Sequence, residues 1–182
     1  MNRPDVTLAV SAMLSVAVSA GCSSHAETAP AATPRVSGPG TGTPAATGHI
    51  GDTLTLTRAD DSPIAVTLQE VINPATPTPS PGDPGVTYIA TKLMVAAPGT
   101  AAIEGNVNIN VSMVASDGQS LAPDLRNVSE CANFDSGVFN LQPGQSATGC
   151  VVFALPPNVS PAKLKYLPSS GFAEDFGEWN LP

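Results

Sequence analysis

Alternation of apolar and polar residues begins near Gly48 and predicts β-strands along most of the remaining chain. In Thr53–Thr57 and again in residues 64–68, an apolar residue recurs at every second position. Such alternation is typical of a strand with one buried and one exposed face. Asp60-Asp61-Ser62-Pro63 joins the two runs and predicts a hairpin turn. The pattern slips near Glu70-Val71, which predicts a β-bulge.

Two longer stretches carry the same period of two. Lys92 should face water in residues 86–97, so the buried face carries the alternate set Ile89, Thr91, Leu93 and Val95. In residues 105–115, the predicted buried face carries Val107, Ile109, Val111 and Met113, and the opposite face carries Asn106, Asn108, Asn110 and Ser112. We expect each stretch to form a single strand.

The most strongly apolar of these runs follows a predicted turn at Pro143-Gly144. Both faces of residues 150–155 are apolar, and Pro156 ends the run because proline cannot donate to a sheet ladder. A strand that is apolar on both faces is typical of a sheet interior. We therefore expect an interior strand that is covered on both sides.

Shorter runs complete the predicted fold. Residues 138–141 and 162–167 are predicted strands, whereas residues 73–85 and 123–134 are predicted to be irregular. The tail should dock as a last strand or over a sheet edge through Phe172, Phe176 and Trp179. About eight short strands joined by turns predict an all-β, antiparallel β-sandwich, with a closed barrel as the alternative.

The start of the chain has a different character. Residues 6–20 are apolar and small, a length that fits the core of a signal peptide and is short for a membrane span. They lead into Ser19-Ala20-Gly21-Cys22, which resembles the lipobox of bacterial lipoproteins. The resemblance implies that Cys22 is lipidated and becomes the new N-terminus. The alternative is an ordinary signal peptide, cut after Ala20 or Gly21, that leaves Cys22 as a free thiol.

Residues 22–47 consist almost entirely of Ala, Thr, Pro, Ser and Gly and contain no aromatic residue. Such a segment cannot bury a core, so we expect a disordered linker that holds the domain away from the membrane. The predicted organisation is a signal peptide over 1–21, a lipidated cysteine and linker over 22–47, and one folded domain over 48–182.

The amino-acid composition argues against some classes of function. The formal net charge is −8 at pH 7, and 12% of the residues are charged. Nucleic-acid binding needs Lys and Arg against phosphates, so the acidic balance argues against it. The charge indicates a solvated surface, with an acidic patch for a cationic partner or metal as the alternative.

The chain has three cysteines, Cys22, Cys131 and Cys150. If Cys22 carries lipid, the other two remain as the one possible pair in an extracytoplasmic compartment, where disulfides form. We predict a Cys131–Cys150 disulfide that closes a loop of roughly 20 residues and stabilises the fold by about 3 kcal/mol. Two buried free thiols are the alternative. A metal site is disfavoured, because no third or fourth soft ligand lies nearby.

The order of these motifs resembles a known family. Its most specific part runs from Pro143-Gly144-Gln145 through Gly149 and Val151-Val152-Phe153 to Pro156, between an opening Gly51-Asp52 and a closing Trp179. Over about residues 48 to 181, the chain is similar to the immunoglobulin-like domain of unknown function found in many bacterial lipoproteins. That family is grouped by fold with a secreted mycobacterial immunoprotective antigen. The resemblance implies an immunoglobulin-like sandwich, an extracytoplasmic location, no established activity and no catalytic residues to transfer.

Candidate catalytic groups are few. A Ser-His-Asp or Cys-His arrangement needs a histidine base, and the predicted domain holds only His49, at its start. Asp60-Asp61 and Glu174-Asp175 are expected in solvated turns rather than as a catalytic pair. Three single aspartates fit no calcium loop: Asp83, Asp124 and Asp135. We therefore assign no residue to catalysis, to a metal or to a cofactor.

The sequence thus predicts a non-enzymatic domain, anchored to the membrane through Cys22, that contacts an unknown protein or cell-envelope partner. The second hypothesis is a carrier of a lipid or small hydrophobic ligand, held between the sheets or beneath residues 172–179, which requires a real apolar pocket. The third is a hydrolase with an unusual site, which requires clustered polar residues in a cleft.

Overall fold

A computed structural model describes residues 46–169 and 175–182. The predicted signal peptide, Cys22 and most of the predicted linker lie outside the described residues, as do Phe172 and Glu174. Strands are the predominant regular structure of the described part. None of its helices is long and apolar enough to cross a membrane. Its elements in chain order are β1 Ala46–Gly48, β2 Thr53–Thr57, β3 Pro63–Ile72, β4 Pro77–Thr78, β5 Thr87–Ala96, β6 Ile103–Asn106, α1 Val107–Asn110, β7 Val111–Ala115, β8 Ser120–Leu121, β9 Asn127–Val128, a 3₁₀ turn Asp135–Gly137, β10 Val138–Leu141, β11 Ser146–Leu155, β12 Pro161–Tyr166 and β13 Gly177–Asn180.

Two sheets form a β-sandwich. One has the strand order β11-β5-β3-β2, and the other has the order β1-β13-β12-β7-β8. Neighbouring strands in both sheets run antiparallel, except that β1 is parallel to β13. This architecture confirms the predicted all-β sandwich. Strand β1 includes Ala46 and Thr47, so regular structure is already present two residues before the predicted domain boundary.

Large side chains from both sheets fill the space between them. Trp179 on β13 is fully buried, and its Nε1–H donates to the Asp52 carbonyl at 3.1 Å. The tail therefore docks as a last strand, one of the two predicted arrangements. On β5, the predicted inward face is confirmed, since Ile89, Thr91, Leu93 and Val95 are all buried. Other fully buried members of the core include Phe153, Met113, Leu164 and Tyr166.

The predicted bulge is confirmed. The β3–β5 register shifts between Leu68 and Glu70, where the alternation of the sequence slips. The predicted turn between β2 and β3 is present as well, and Asp61 adopts a φ of 62° there. Asp tolerates this left-handed region better than most residues, because its short polar side chain bonds locally.

The prediction of one strand over residues 105–115 is wrong. Strand β6 ends at Asn106, and α1 makes one helical turn before β7 begins. The Asn106 side chain accepts the Asn108 N–H at 2.9 Å, as an N-cap does, and so favours a helical turn over an extended chain. Before the turn, β6 pairs with β10; after it, β7 pairs with β12 in the five-stranded sheet. As a result, Ile109 is 66% exposed and Asn110 is buried, the reverse of the prediction.

Strand β11 is covered on both faces, as predicted. Val151 and Phe153 face the core between the sheets, and Val152 packs into a second cluster on the other face. The predicted interior position is wrong, however, because β11 is the last strand of its sheet. An apolar pattern indicates which faces of a strand are covered. It does not indicate whether another strand pairs with each of its two edges.

An irregular segment, residues 123–134, lies along the edge of β11; we call it the edge segment. The Asp124 N–H donates to the Val152 carbonyl at 2.7 Å, and the Cys150 N–H donates to the Ala132 carbonyl at 2.9 Å. A Cys131–Cys150 disulfide joins the same two segments, with Cα atoms 6.1 Å apart. The structure thus confirms the predicted disulfide and makes it the covalent tie between the edge segment and β11.

The second cluster covers the outer face of β5 and β11. Two stretches predicted as irregular, residues 73–85 and the edge segment, meet there through the short pairing of β4 with β9. The Glu130 Oε1 also accepts the Thr76 N–H at 2.9 Å. The cluster consists of Ala75, Tyr88, Ala90, Val128 and Val152.

One ion pair joins these two stretches at the surface. The Arg126 Nη2 donates to the Asp83 Oδ2 at 2.8 Å, and the guanidinium lies 5.2 Å from the centre of the Tyr88 ring. The Tyr88 hydroxyl donates to the same carboxylate at 3.1 Å. The hydrogen bond from Arg126, followed by that from Tyr88, holds the pKa of Asp83 below its ordinary value of 3.8.

The variant Asp83→Asn tests whether the Asp83–Arg126 ion pair stabilises the fold, through the pH dependence of the melting temperature. A carboxylate whose pKa is lower in the folded state stabilises the fold above its unfolded pKa, and this stabilisation is lost as pH falls through the folded pKa. We expect the wild type to melt at a higher temperature than the variant at neutral pH, and this difference to shrink as the pH falls below 3.8. Thermal melts followed by circular dichroism measure both.

The matched control is Asp61→Asn, an exposed turn position at which Asn also tolerates a positive φ. Its effect should not follow the same pH course. A difference in melting temperature between wild type and Asp83→Asn that stays constant down to pH values well below 3.8 would contradict a stabilising role of the ion pair.

Candidate binding cleft

The residues considered for catalysis in the described turns, His49, Asp60 and Asp61, are exposed at the surface. His49 is on the surface after β1, with its Nδ1 3.7 Å from the Asp52 Oδ2 and its side chain 79% exposed. Asp60 lies in the turn after β2, where the Ser62 hydroxyl and N–H both donate to its Oδ1. The hydroxyl hydrogen bond is the main cause that lowers the pKa of Asp60. The solvated-turn interpretation of Asp60-Asp61 therefore fits the structure.

The single aspartates are less scattered than the sequence indicates. Asp83 and Asp124 both approach Arg126, at 2.8 Å from its Nη2 and 4.0 Å from its Nε. Asp135 lies separately, in the 3₁₀ turn. Among residues 46–169 and 175–182, no group of three or more His, Cys, Asp or Glu side chains is placed to hold a metal ion.

A cleft of about 340 Å³ opens beside the edge segment. The edge segment supplies one wall, and the turns that precede β7 and β10 supply the other. Polar residues predominate among the side chains that line it: Asn108, Asp124, Leu125, Asn127, Asn133, Phe134 and Ser136.

Asn106 holds the two turns of one wall together. Its Oδ1 accepts the Asn108 N–H at 2.9 Å, and its Nδ2 donates to the Ser136 carbonyl at 3.2 Å. Ser136 has a φ of 50° and Gly137 has a φ of 79°, so two consecutive residues lie in the left-handed region. Serine is seldom found there, and such conformations persist only where surrounding contacts hold them.

Phe134 anchors the opposite wall. It is 8% exposed, and its ring lies against the backbone of Gly149 on β11. A Cβ at position 149 would lie 2.7 Å from the Phe134 Cδ2, so the close approach requires glycine. Next to it, the Asn133 Nδ2 donates to the Arg126 carbonyl at 2.8 Å and fixes the orientation of the amide.

The cleft retains unused hydrogen-bonding capacity. Within the described part of the chain, the side-chain amides of Asn108 and Asn127 make no hydrogen bond, and the buried Oδ1 of Asn133 has no partner. The Asp124 Oδ1 accepts the Arg126 N–H at 2.8 Å. Neutral amides beside one carboxylate can bind a polar ligand through donors and acceptors.

An apolar rim accompanies this polar floor. Ile109, Leu125 and Val138 are 66%, 79% and 57% exposed. Leu125 lines the cleft itself, Ile109 follows Asn108 in the same helical turn, and Val138 follows the 3₁₀ turn. Leu125 is therefore an exposed aliphatic side chain in the cleft, and Ile109 and Val138 are exposed next in sequence to its walls; we call these three residues the apolar rim. Large exposed aliphatic side chains are a feature of interaction sites.

Sequence reasoning missed this site. It placed Ile109 in the core and did not single out Leu125 or Val138. The signal available was the pair Asn106 and Asn108, which can cap a turn as well as alternate along a strand.

A second, shallower cleft of about 310 Å³ lies near the end of the chain. Its apolar members include Ile50, which is 40% exposed, and Leu181. His49 is part of its lining, together with Asn180 and Pro182. This cleft opens at the surface, whereas the region beneath Trp179 is filled by core side chains.

Comparison with known proteins shows which solved structures have a similar fold. No protein-family model matches the chain, and no curated protein matches it. Among solved structures, it is similar to MPT63, a secreted protein from Mycobacterium tuberculosis, with a TM-score of 0.54 and 17% identity over 74% of this chain and 96% of that one. It is also similar to the yjhA protein from Bacillus subtilis, with a TM-score of 0.52 and 15% identity over 74% of this chain and 99% of that one. At these identities the likeness shows the fold, which is the predicted immunoglobulin-like β-sandwich.

Proposed function

We propose that this protein is an extracytoplasmic, lipid-anchored domain that has no enzymatic activity and contacts another protein or a component of the cell envelope. In this proposal, the contact is made through the cleft beside the edge segment. The proposal also assigns the chain to the lipoproteins with an immunoglobulin-like domain of unknown function that its motifs resemble.

The apolar rim of the cleft is the observation that carries the proposal. Leu125 leaves aliphatic surface in water among the polar side chains of the cleft, and Ile109 and Val138 are exposed next in sequence to its walls. Covering apolar surface favours association, and the neighbouring amides add orientation. The lining offers amides and one carboxylate, a set suited to binding rather than to proton transfer at a nucleophile.

The anchor and the linker support an extracytoplasmic location. Cys22 follows a short apolar segment, and 23 residues separate it from the first described strand at Ala46. An extended Pro-rich linker spans about 3.1 Å per residue, so a linker of this length would reach roughly 70 Å from the membrane. MPT63, which has a similar fold, is described as secreted.

A carrier of a small hydrophobic molecule is the second candidate. The shallow cleft with Ile50 and Leu181 favours it, because those side chains leave an apolar opening at the surface. A passenger that leaves only on denaturation, seen by native mass spectrometry of the membrane-extracted chain, would favour the carrier over the interaction domain.

Photo-crosslinking in the native cells tests the proposed contact. We expect a photoreactive amino acid at Leu125 of the full chain to give a discrete adduct, because this side chain is 79% exposed at the cleft. The same group at Thr55 should give none, since Thr55 is exposed on β2, at the opposite edge of the sheet from β11. Adding Ile109→Lys to the Leu125 variant should abolish the adduct, because a charged group then occupies the apolar rim.

Equal adducts from positions 125 and 55, or an adduct at position 125 that Ile109→Lys leaves unchanged, would contradict the contact surface. Circular dichroism of the Ile109→Lys variant serves as the control for folding. We expect no change, because Ile109 is exposed.

The anchor is tested with Cys22→Ala. Acyl chains contribute about 0.8 kcal/mol per buried CH₂, so we expect the wild type to remain in the membrane fraction with an intact mass raised by at least two acyl chains. The variant should lack this mass increase. A wild-type mass without lipid would contradict the anchor and leave the contact surface to be judged by the crosslinks.

A further inference from the structure

The chemistry of the cleft narrows the kind of partner. The free groups are carboxamides, at Asn108 and Asn127, and the unpartnered Oδ1 of Asn133. A carboxamide has two N–H donors and one carbonyl acceptor, the same kinds of group as a peptide bond. Extended peptides and sugars can both satisfy such amides, so the polar floor alone does not choose between them.

The rim distinguishes these two classes. A neutral oligosaccharide offers hydroxyl groups and no aliphatic side chains, and within the described lining the only aromatic residue, Phe134, is 8% exposed and so presents little ring surface to a sugar. Leu125 instead offers exposed aliphatic surface among the amides, and Ile109 and Val138 add exposed aliphatic surface next in sequence to the walls of the cleft. A peptide carries side chains and backbone amides together, so it matches the rim and the floor at once.

The charge of the cleft indicates the charge that a partner should carry. Asp124 lines the cleft, and Asp135 lies between two residues that line it, Phe134 and Ser136. Arg126, the cation next to Asp124, is already paired with Asp83 at 2.8 Å. The cleft therefore has a surplus of negative charge, in a chain whose net charge is −8. Lys or Arg on the partner would complement it.

We infer that the cleft binds an extended peptide segment of a partner protein, one that carries aliphatic and basic side chains. This inference rests on the proposed function and names the chemistry of the partner at the same site. The peptide amides pair with Asn108, Asn127 and Asn133, the aliphatic side chains cover the rim, and the basic side chains face Asp124 and Asp135.

Nuclear magnetic resonance tests the inference, because Asn side-chain amides give their own signals. The probe is the capped peptide acetyl-Val-Lys-Val-Lys-Val-amide, titrated to millimolar concentration into the ¹⁵N-labelled, membrane-extracted full chain in mild detergent. We expect saturable shifts of the side-chain signals of Asn108, Asn127 and Asn133. The matched peptide with Glu in place of Lys should bind weaker by about tenfold or more, because its charges repel the carboxylates.

The variant Leu125→Lys/Asn127→Ala should lose the shifts at Asn108 and Asn133, because the added cation repels the Lys side chains of the peptide and one of the amides is removed. The control variant Thr55→Ala should keep them, which separates binding at the cleft from binding to detergent. Absence of saturable shifts, equal affinity for the two peptides, or shifts produced by cellohexaose instead would overturn the inference.

The experiments distinguish failure of the peptide inference from failure of the proposed interaction function. A discrete adduct at position 125 in cells without saturable shifts from the basic peptide would overturn the peptide inference and retain the interaction function. Failure of both the adduct and the shifts would overturn both.

Discussion

The attachment of residues 123–134 to the edge of β11 determines how the sheet edge, the second apolar cluster and the cleft are formed. An open sheet edge presents unpaired N–H and carbonyl groups to other chains. Here the Cys131–Cys150 disulfide and hydrogen bonds to Cys150 and Val152 occupy that edge. The same segment supplies Val128 to the second apolar cluster and most of the side chains that line the cleft. One attachment thus protects the edge, covers the outer face of the sheet and builds the candidate site.

Stability and recognition are located in different parts of the sandwich. The space between the sheets is filled by side chains such as Trp179, Phe153 and Tyr166, and burial there raises the pKa of Tyr166 to about 12. The cleft instead forms where regular strands stop, at the helical turn before β7 and the 3₁₀ turn before β10. Loops positioned by a rigid scaffold commonly carry binding residues. Here the backbone of Ser136, with a φ of 50°, is held by Asn106 on the neighbouring turn.

The fold could be predicted from the sequence because its strands obey simple periodicity. The alternation in β2 and β5, the bulge near Glu70 and the disulfide all follow from local pattern or from cysteine number. The turn at Val107–Asn110 could not, because Asn-Val-Asn-Ile-Asn alternates as a strand does while Asn106 caps a helical turn. The cleft could not be predicted either. Its two walls come from segments that meet only through long-range contacts, and its rim depends on Ile109 pointing outward.

Hydrogen exchange measured by mass spectrometry tests most directly whether the edge segment depends on its attachment. The full chain is compared with the double variant Cys131→Ala/Cys150→Ala. Loss of the tie should let the edge segment open locally, so its amides should exchange faster by about tenfold or more while β3 and β5 stay protected. This pattern would confirm that the disulfide holds the wall of the cleft. Unchanged exchange in residues 123–134 would contradict the account, because the cleft wall would then form without its covalent attachment to β11.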